Sequence, residues 1–144
     1  MNKRQVLQAG FALGGGLLMP NAQACEFVTQ TMTIIHPWTR ASAPGATTAK
    51  VVMTFQDVRH TDRLIGAETP VAGAAQMGGE VAGPGIDLLV SEGQALTLSE
   101  TGLHLLLTDL QMPLQVGREY PLTLRFETAG DVQAKLSVDY ARFY

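Results

Sequence analysis

The sequence predicts an all-β domain built from about eight or nine short strands. Beyond the N-terminal segment, no stretch shows sustained helical periodicity. Several stretches instead alternate apolar and polar residues, as half-buried strands do. Turns that contain glycine or proline separate these stretches, and three short strands in the second half follow one another at roughly 8 to 9 residues, a spacing typical of a β-sandwich or barrel.

The first 24 residues have the layout of an export signal. Lys3 and Arg4 form a positive start, and the apolar run over residues 9–19 that follows is too short to span a bilayer. Residues 3–8 also resemble a twin-arginine signal with Lys in place of the first Arg. We therefore predict an export signal over residues 1–24 and leave the route, Sec or twin-arginine, open.

Cys25 would be the first residue after cleavage. Ala22 and Ala24 provide the alanines of an A-x-A cleavage pattern. A cysteine in this place is what a lipoprotein signal requires, although the usual leucine at −3 is Ala22 here, so lipidation of Cys25 and an ordinary cleavage site both remain open. As the chain has one cysteine, it cannot form an internal disulfide. The remaining segment, 25–144, has the size of one domain with its own core.

The charge balance argues against nucleic acid as a partner. The chain has a formal net charge of −3, and removal of Lys3 and Arg4 with the signal makes it more negative. An acidic protein is repelled by nucleic acid and by anionic membrane surfaces. Membrane contact is therefore expected only if Cys25 is lipidated.

Three strands are predicted in the first half of the domain. The stretch Thr29–Arg40 contains β-branched residues and ends at a Pro-Gly turn over residues 41–46. The alternation over Lys50–Asp57 is the cleanest in this half. A polar loop at Arg59–Asp62 leads back into a strand over Arg63–Glu68.

Six further strands are predicted in the second half. The stretch Ala72–Met77 ends at Gly78-Gly79, which must be a turn or loop. The others are short, and the last two form a hairpin with matched apolar faces. They cover Ile86–Val90, Gln94–Leu98, Leu103–Leu107, Tyr120–Glu127 and Val132–Tyr140.

His104 is the histidine with the most plausible chemical role, because it lies within the apolar stretch Leu103–Leu107. By period-2 alternation, His104 shares a face with Leu106, and the other three leucines lie on the opposite face. The turn at Glu100–Gly102 precedes it, so we expect His104 near one end of a sheet. Binding residues collect at such ends.

Three stretches, in this order, are similar to the periplasmic copper chaperone family called PCu(A)C. The resemblance implies a cupredoxin-like Greek-key β-sandwich in the periplasm that hands Cu(I) to a respiratory oxidase subunit or another copper carrier by ligand exchange. The stretches are Trp38-Thr-Arg-Ala-Ser-Ala-Pro-Gly45, Asp62-Arg-Leu through Thr69-Pro70 to Ala72, and Gly102-Leu-His-Leu-Leu-Leu107 followed by Pro113-Leu114, Gly117, Leu122–Glu127 and Gly130.

The resemblance also implies a ligand set that this chain does not fully carry. The family binds Cu(I) with a histidine after an early strand, a methionine further on and a later His-x-Met pair; thioether and imidazole together favour the monovalent ion. His104 matches the histidine of the pair, but Leu106 stands in place of its methionine. The first histidine falls at or beside Gly78, next to Met77. The middle methionine falls within 80–89, where no Met, His or Cys occurs.

We therefore predict a degenerate metal site formed by His104 and Met77. Cu(I) would bind weakly or not at all, with a partner protein completing the ligand set. The alternative is a metal-free periplasmic binding or interaction module on the same sandwich. An enzyme is not expected, because the chain contains no nucleophile turn, no His-Glu-x-x-His and no phosphate-binding glycine loop before a helix.

Four other residues are predicted to have structural or surface roles. His36 begins a kink at Pro37, and His60 lies in a charged loop, so both are expected at the surface. Met112 and Trp38 are interpreted as packing residues, Trp38 as part of the core.

Overall fold

The structure is a computed structural model that describes residues 26–81 and 83–139. Within these ranges there is no helix, and therefore none with the length and hydropathy to span a membrane. The predicted export signal, Cys25 and the segment 140–144 lie outside the described residues. The ten strands of the described ranges are β1 (Glu26–Val28), β2 (Thr33–Arg40), β3 (Ala49–Gln56), β4 (Asp62–Glu68), β5 (Ala72–Gly78), β6 (Leu88–Val90), β7 (Leu96–Thr97), β8 (His104–Leu110), β9 (Glu119–Phe126) and β10 (Gly130–Asp139).

The predicted all-β architecture is confirmed, and the strand bounds differ locally from the predicted ones. The sequence analysis missed β1, whose three residues are too few to show alternation. The second strand begins at Thr33 rather than Thr29, because the Thr29 backbone N–H and hydroxyl both donate to the Met32 carbonyl and close a turn. Tertiary hydrogen bonding therefore decides strand ends that alternation alone leaves open.

The strands form one curled sheet in the order β5-β8-β3-β2-β10-β9-β4-β6, with β1 paired to β2 and β7 paired to β3. All pairs are antiparallel except β10 with β2. The first half of β3 pairs with β8 and its second half with β7. The two halves of β3 therefore have different neighbours on the same side, and the sheet curls at this strand. This curling brings the inner faces of distant strands together.

The core lies between the two halves of this curled sheet. Phe55 of β3 and Phe126 of β9 contact each other edge to face, with ring centroids 6.3 Å apart and an interplanar angle of 87°. Leu105 and Leu107 are fully buried in the same cluster. Leu105 and Leu107 therefore share one face of their strand, as predicted from alternation.

Asp62 is a buried carboxylate that ties three segments together. It is 3% exposed, and each of its oxygens accepts two hydrogen bonds. Oδ1 accepts from the backbone N–H groups of Arg63 and Thr128, both at 2.8 Å. Oδ2 accepts from the Thr31 hydroxyl and the Ala129 N–H, both at 3.0 Å. Burial by itself raises the pKa of Asp62, but these four bonds outweigh it and hold the pKa below its ordinary value.

Candidate functional site

His104 is the first residue of β8, at the sheet end where the sequence analysis expects it. Its side chain is 6% exposed, and Nδ1 lies 2.9 Å from the carbonyl oxygen of Gly102. A carbonyl can only accept, so in the neutral ring Nδ1 carries the proton. Nε2 is then the nitrogen with a free lone pair, the atom that a metal ion or a hydrogen-bond donor would use.

Gly78 makes room for the imidazole, and Gly79 makes room for the carbonyl group that the imidazole contacts. Gly78 is the register partner of His104 in the β5–β8 pair, and a Cβ at Gly78 would lie less than 3.0 Å from Nε2. Gly79 has a φ of +93°, and a Cβ there would lie less than 3.0 Å from the Gly102 carbonyl oxygen. The ring therefore occupies the space that a side chain at position 78 would need. We call Gly78 and Gly79 the glycine cradle.

Met77, the other residue predicted at the metal site, lies beside His104 along the strands but on the other face. Its register partner is Leu105, which points into the core, and Met77 is itself a buried member of the core cluster. Because successive residues of a strand point to opposite faces, Met77 and the imidazole lie on opposite sides of the β5–β8 pair. Met77 as a metal ligand stays a prediction.

Leu106 shares the face of His104, as predicted from alternation. Its register partners are Gln76 on β5 and Lys50 on β3. The position that would carry the thioether of a His-x-Met pair is therefore an aliphatic side chain between an amide and an ammonium group. None of these three side chains is a soft ligand that favours Cu(I).

The turn before His104 is closed by hydrogen bonds. The Ser99 N–H donates to the Leu103 carbonyl at 2.9 Å, and the Gly102 N–H lies 2.9 Å from the Ser99 hydroxyl. Gly102 therefore has a defined orientation when its carbonyl accepts from the imidazole.

An ion pair joins this turn to β2. The Arg40 guanidinium donates to both carboxylate oxygens of Glu100, at 2.7 and 2.9 Å. The Lys50 ammonium also donates to the Glu100 backbone carbonyl at 3.0 Å. The hydrogen bonds from Arg40 hold the pKa of Glu100 below its ordinary value against the opposing effect of burial, and the charges of Arg40 and Lys50 act in the same direction as these bonds.

A groove of about 410 Å³ lies beside this ion pair. Trp38 and Val52 are among its lining residues, and Glu100 is at its edge. Trp38 is partly buried against the core cluster, and the Arg40 guanidinium lies 5.9 Å from the centroid of its ring. The predicted core role of Trp38 is thus only partly met, since one side of the ring faces the groove.

The other candidate side chains have separate environments. His36 has a φ of +47° at an irregularity in β2, and its Nε2 lies 3.0 Å from the Asp139 carboxylate. His60 is exposed, as predicted. Met112 is 45% exposed, so its interpretation as a packing residue is wrong. Within residues 26–81 and 83–139, no group of three or more His, Cys, Asp or Glu side chains could hold a metal ion.

Sequence reasoning missed the contribution of Arg40, Glu100 and Gly78 to this site. Arg40 and Glu100 are 60 positions apart, so no local pattern connects them. The prediction that Gly78 lies in a turn or loop is wrong: Gly78 is the last residue of β5, and its absent side chain provides the space for the imidazole. The sequence contains one indication of this arrangement, the charged residue Glu100 in the turn before His104.

The family model "Putative lipoprotein LpqE-like" matches residues 32–138. No curated protein matches the chain. Among solved structures, the copper-bound PCuAC domain from PmoF2 has a TM-score of 0.71 and 29% identity, covering 80% of this chain and 97% of that chain. The apo PCuAC domain from PmoF1 has a TM-score of 0.72 and 26% identity, covering 80% and 98%. The solution structure of CuI-DR1885 from Deinococcus radiodurans has a TM-score of 0.63 and covers 86% and 85%; its 22% identity supports a similar fold alone.

Proposed function

The chain belongs to the LpqE-like family, whose model spans most of it, and from this premise we propose that it is a copper chaperone-like protein with an incomplete copper site. The resemblance to PCu(A)C domains predicted from the sequence is confirmed by the likeness to the PmoF domains, one of which is copper-bound. The ancestral role in this proposal is export to the periplasm and delivery of Cu(I) to a respiratory oxidase subunit or another copper carrier. Delivery would proceed by ligand exchange and not by catalysis.

The observation that carries the proposal is the geometry of His104. Its Nδ1 is hydrogen-bonded to a backbone carbonyl, which fixes the ring and leaves Nε2 as the nitrogen that carries the lone pair. Histidines that bind metals are held in this way, with the other ring N–H donated to a carbonyl or carboxylate. His104 is also the residue that matches the family's His-x-Met pair.

The site is proposed to be incomplete because three of the four ligand positions that the resemblance implies carry no matching donor. The first histidine falls at or beside Gly78, the middle methionine falls within 80–89, where no Met, His or Cys occurs, and Leu106 replaces the methionine of the pair. A single imidazole cannot enclose an ion, so binding is expected to be weak and to be completed by ligands from a partner protein. Met77 enters the proposal as a second ligand only if the glycine cradle rearranges, since its side chain packs in the core.

Cu(I) titration of the purified protein against a competing chelator tests the role of His104. We expect weak binding that falls at least about tenfold in His104→Ala, since metal affinity drops tenfold or more even when residues behind a ligand are changed. His60→Ala is the matched control, because His60 is an exposed histidine outside the site. An affinity unchanged in His104→Ala would remove the proposed ligand.

A second variant, Met77→Leu, tests the thioether with little change in side-chain volume. A lower Cu(I) affinity with an unchanged melting temperature would assign Met77 to the site. An unchanged affinity would leave Met77 as a core residue and His104 as the sole ligand that this chain contributes.

The alternative is a metal-free interaction module on the same scaffold. It is favoured by the close approach of the imidazole to Gly78, which fills the space of the missing histidine. The metal content of protein purified from copper-fed cells separates the two functions. Stoichiometric copper supports the chaperone, and protein without metal under tight-binding conditions supports the module.

A further inference from the structure

The ion pair between Arg40 and Glu100 lies beside the turn that holds His104, although neither residue is a metal ligand in the proposed function. We propose that Arg40 and Glu100 are positioning residues that set the tautomer and orientation of the His104 ring through the turn over residues 99–102. The consequence for copper rests on the proposed function, whereas the effect on the ring can be measured without metal.

The first step is the attachment of the turn to the sheet. Arg40 uses two nitrogens for the two oxygens of Glu100, the bidentate geometry that combines strength with fixed direction. The side chains are 37% and 28% exposed, so water competes only partly with this pair. Lys50 of β3 holds the backbone carbonyl of the same residue. Glu100 is thereby fixed to two neighbouring strands through its side chain and its main chain.

The second step runs from Glu100 to the carbonyl of Gly102, two residues later. The Gly102 N–H donates to the Ser99 hydroxyl and, at 3.3 Å, to the Ser99 carbonyl. On the other side, Gly79 of the glycine cradle packs so closely against the Gly102 carbonyl that no Cβ fits between them. The Gly102 carbonyl therefore keeps one orientation only while residues 99–102 stay attached to the sheet.

The third step is the choice of tautomer. A neutral imidazole free in water exchanges its proton between Nδ1 and Nε2. The fixed carbonyl of Gly102 accepts only from Nδ1–H, so it selects one form and directs the lone pair of Nε2 toward Gly78. If the turn loosens, this selection weakens, and Nε2 becomes protonated in part of the molecules and unable to bind a metal.

The test measures the ring nitrogens of His104 by ¹⁵N NMR in the metal-free chain, at a pH where the imidazole is neutral. The variants are Glu100→Ala, which removes the ion pair, and Glu100→Gln, which keeps an acceptor oxygen for Arg40. Asp87→Ala is the matched control, because it removes another carboxylate paired with an arginine, Arg63 of β4, outside the turn that precedes His104.

We expect the wild type and the control to show the Nδ1–H form alone. Glu100→Ala should show a substantial population of the Nε2–H form, and Glu100→Gln should recover part of the original signal. The Cu(I) affinity of Glu100→Ala should fall by roughly tenfold, the loss typical of changes behind a metal ligand. Chemical shifts of the core residues report whether each variant is folded.

Two results would overturn the positioning role. One is a wild-type ring that already populates both tautomers, and the other is a Glu100→Ala ring that keeps the Nδ1–H form unchanged. A tautomer shift in Glu100→Ala with no Cu(I) binding by any variant supports the positioning role and contradicts the copper chaperone. Cu(I) binding through His104, together with an unchanged tautomer in Glu100→Ala, supports the copper chaperone and contradicts the positioning role.

Discussion

Asp62 and His104 are both buried polar side chains, but the structure satisfies them differently. Each oxygen of Asp62 accepts two hydrogen bonds from within the protein, so no lone pair remains for a ligand. His104 makes one hydrogen bond, to Gly102, and its second nitrogen faces a glycine. Burial by itself therefore does not distinguish a fully hydrogen-bonded polar side chain from one that keeps an unused lone pair. Complete hydrogen bonding marks Asp62 as structural, and the unused lone pair makes His104 the candidate ligand of the proposed function.

The two regions also differ in what surrounds the polar group. Around Asp62, donors from the start of β4, the β9–β10 turn and the segment before β2 converge on one carboxylate. Around His104, the glycine cradle removes side chains and leaves space. Substitutions in the two regions should therefore destabilise the fold for opposite reasons. At Asp62 they remove hydrogen-bond partners, and at the glycine cradle they add atoms that collide with their neighbours.

The largest effect is expected for Asp62→Ala. Loss of the carboxylate leaves three backbone N–H groups without their acceptor and removes one partner of the Thr31 hydroxyl, so the free energy of unfolding should fall by roughly 3 kcal/mol or more. Asp87→Ala, which removes an exposed carboxylate from an ion pair with Arg63, should cost less than about 1 kcal/mol. Urea denaturation measures both. Equal losses in the two variants would contradict the structural role of Asp62.

Gly79→Ala should have the next largest effect, and Gly45→Ala isolates its cause. Both glycines have positive φ, but a Cβ at Gly45 meets no atom within 4 Å, whereas a Cβ at Gly79 collides with the Gly102 carbonyl. The conformational cost alone is about 1–2 kcal/mol in each case. The collision should add roughly 1–3 kcal/mol at Gly79 only. Thermal unfolding of the two variants checks the difference, and similar losses would mean that the cradle is not tightly packed.

Gly78→Ala tests the contact between the cradle and the imidazole. The added methyl group overlaps Nε2, so the variant should lose about 1–3 kcal/mol through overpacking. In a His104→Ala background the same substitution should cost much less, because the ring that it meets is absent. Urea denaturation of the wild type, the two single variants and the double variant gives the unfolding free energies of this double-mutant cycle. Additive losses would show that His104 does not fill the space beside Gly78.

The smallest effect, and the one most specific to Asp62, is a pH dependence. Because the folded-state pKa of Asp62 is lowered, the ionised carboxylate stabilises the fold above the unfolded-state pKa, near pH 4, and this contribution is lost as the pH falls through the folded-state pKa. The difference in unfolding free energy between the wild type and Asp62→Asn should therefore shrink below about pH 4. Denaturant titrations at several acidic pH values measure it, and a constant difference would place the stabilisation elsewhere.

The fold and the place of His104 were largely predictable from the sequence. Apolar and polar alternation over β3 and β9, with glycine turns between strands, predicts an all-β domain because the side-chain period of a strand is a local property. The same alternation places His104 on the face opposite that of Leu105, and the turn at Glu100–Gly102 places it near a sheet end. The ordered stretches around Trp38, Asp62 and His104 indicated the family.

The make-up of the site was decided by the tertiary structure. The register of β5 against β8 sets Gly78 across from His104 and turns Met77 toward the core, and register depends on contacts between segments far apart in the chain. The same holds for Arg40 and Glu100, which only the curled sheet brings together. A sequence pattern indicates which residues share a face along one strand. Strand pairing decides which residues lie across from a given side chain, and therefore whether they bind it, pack against it or leave space for it.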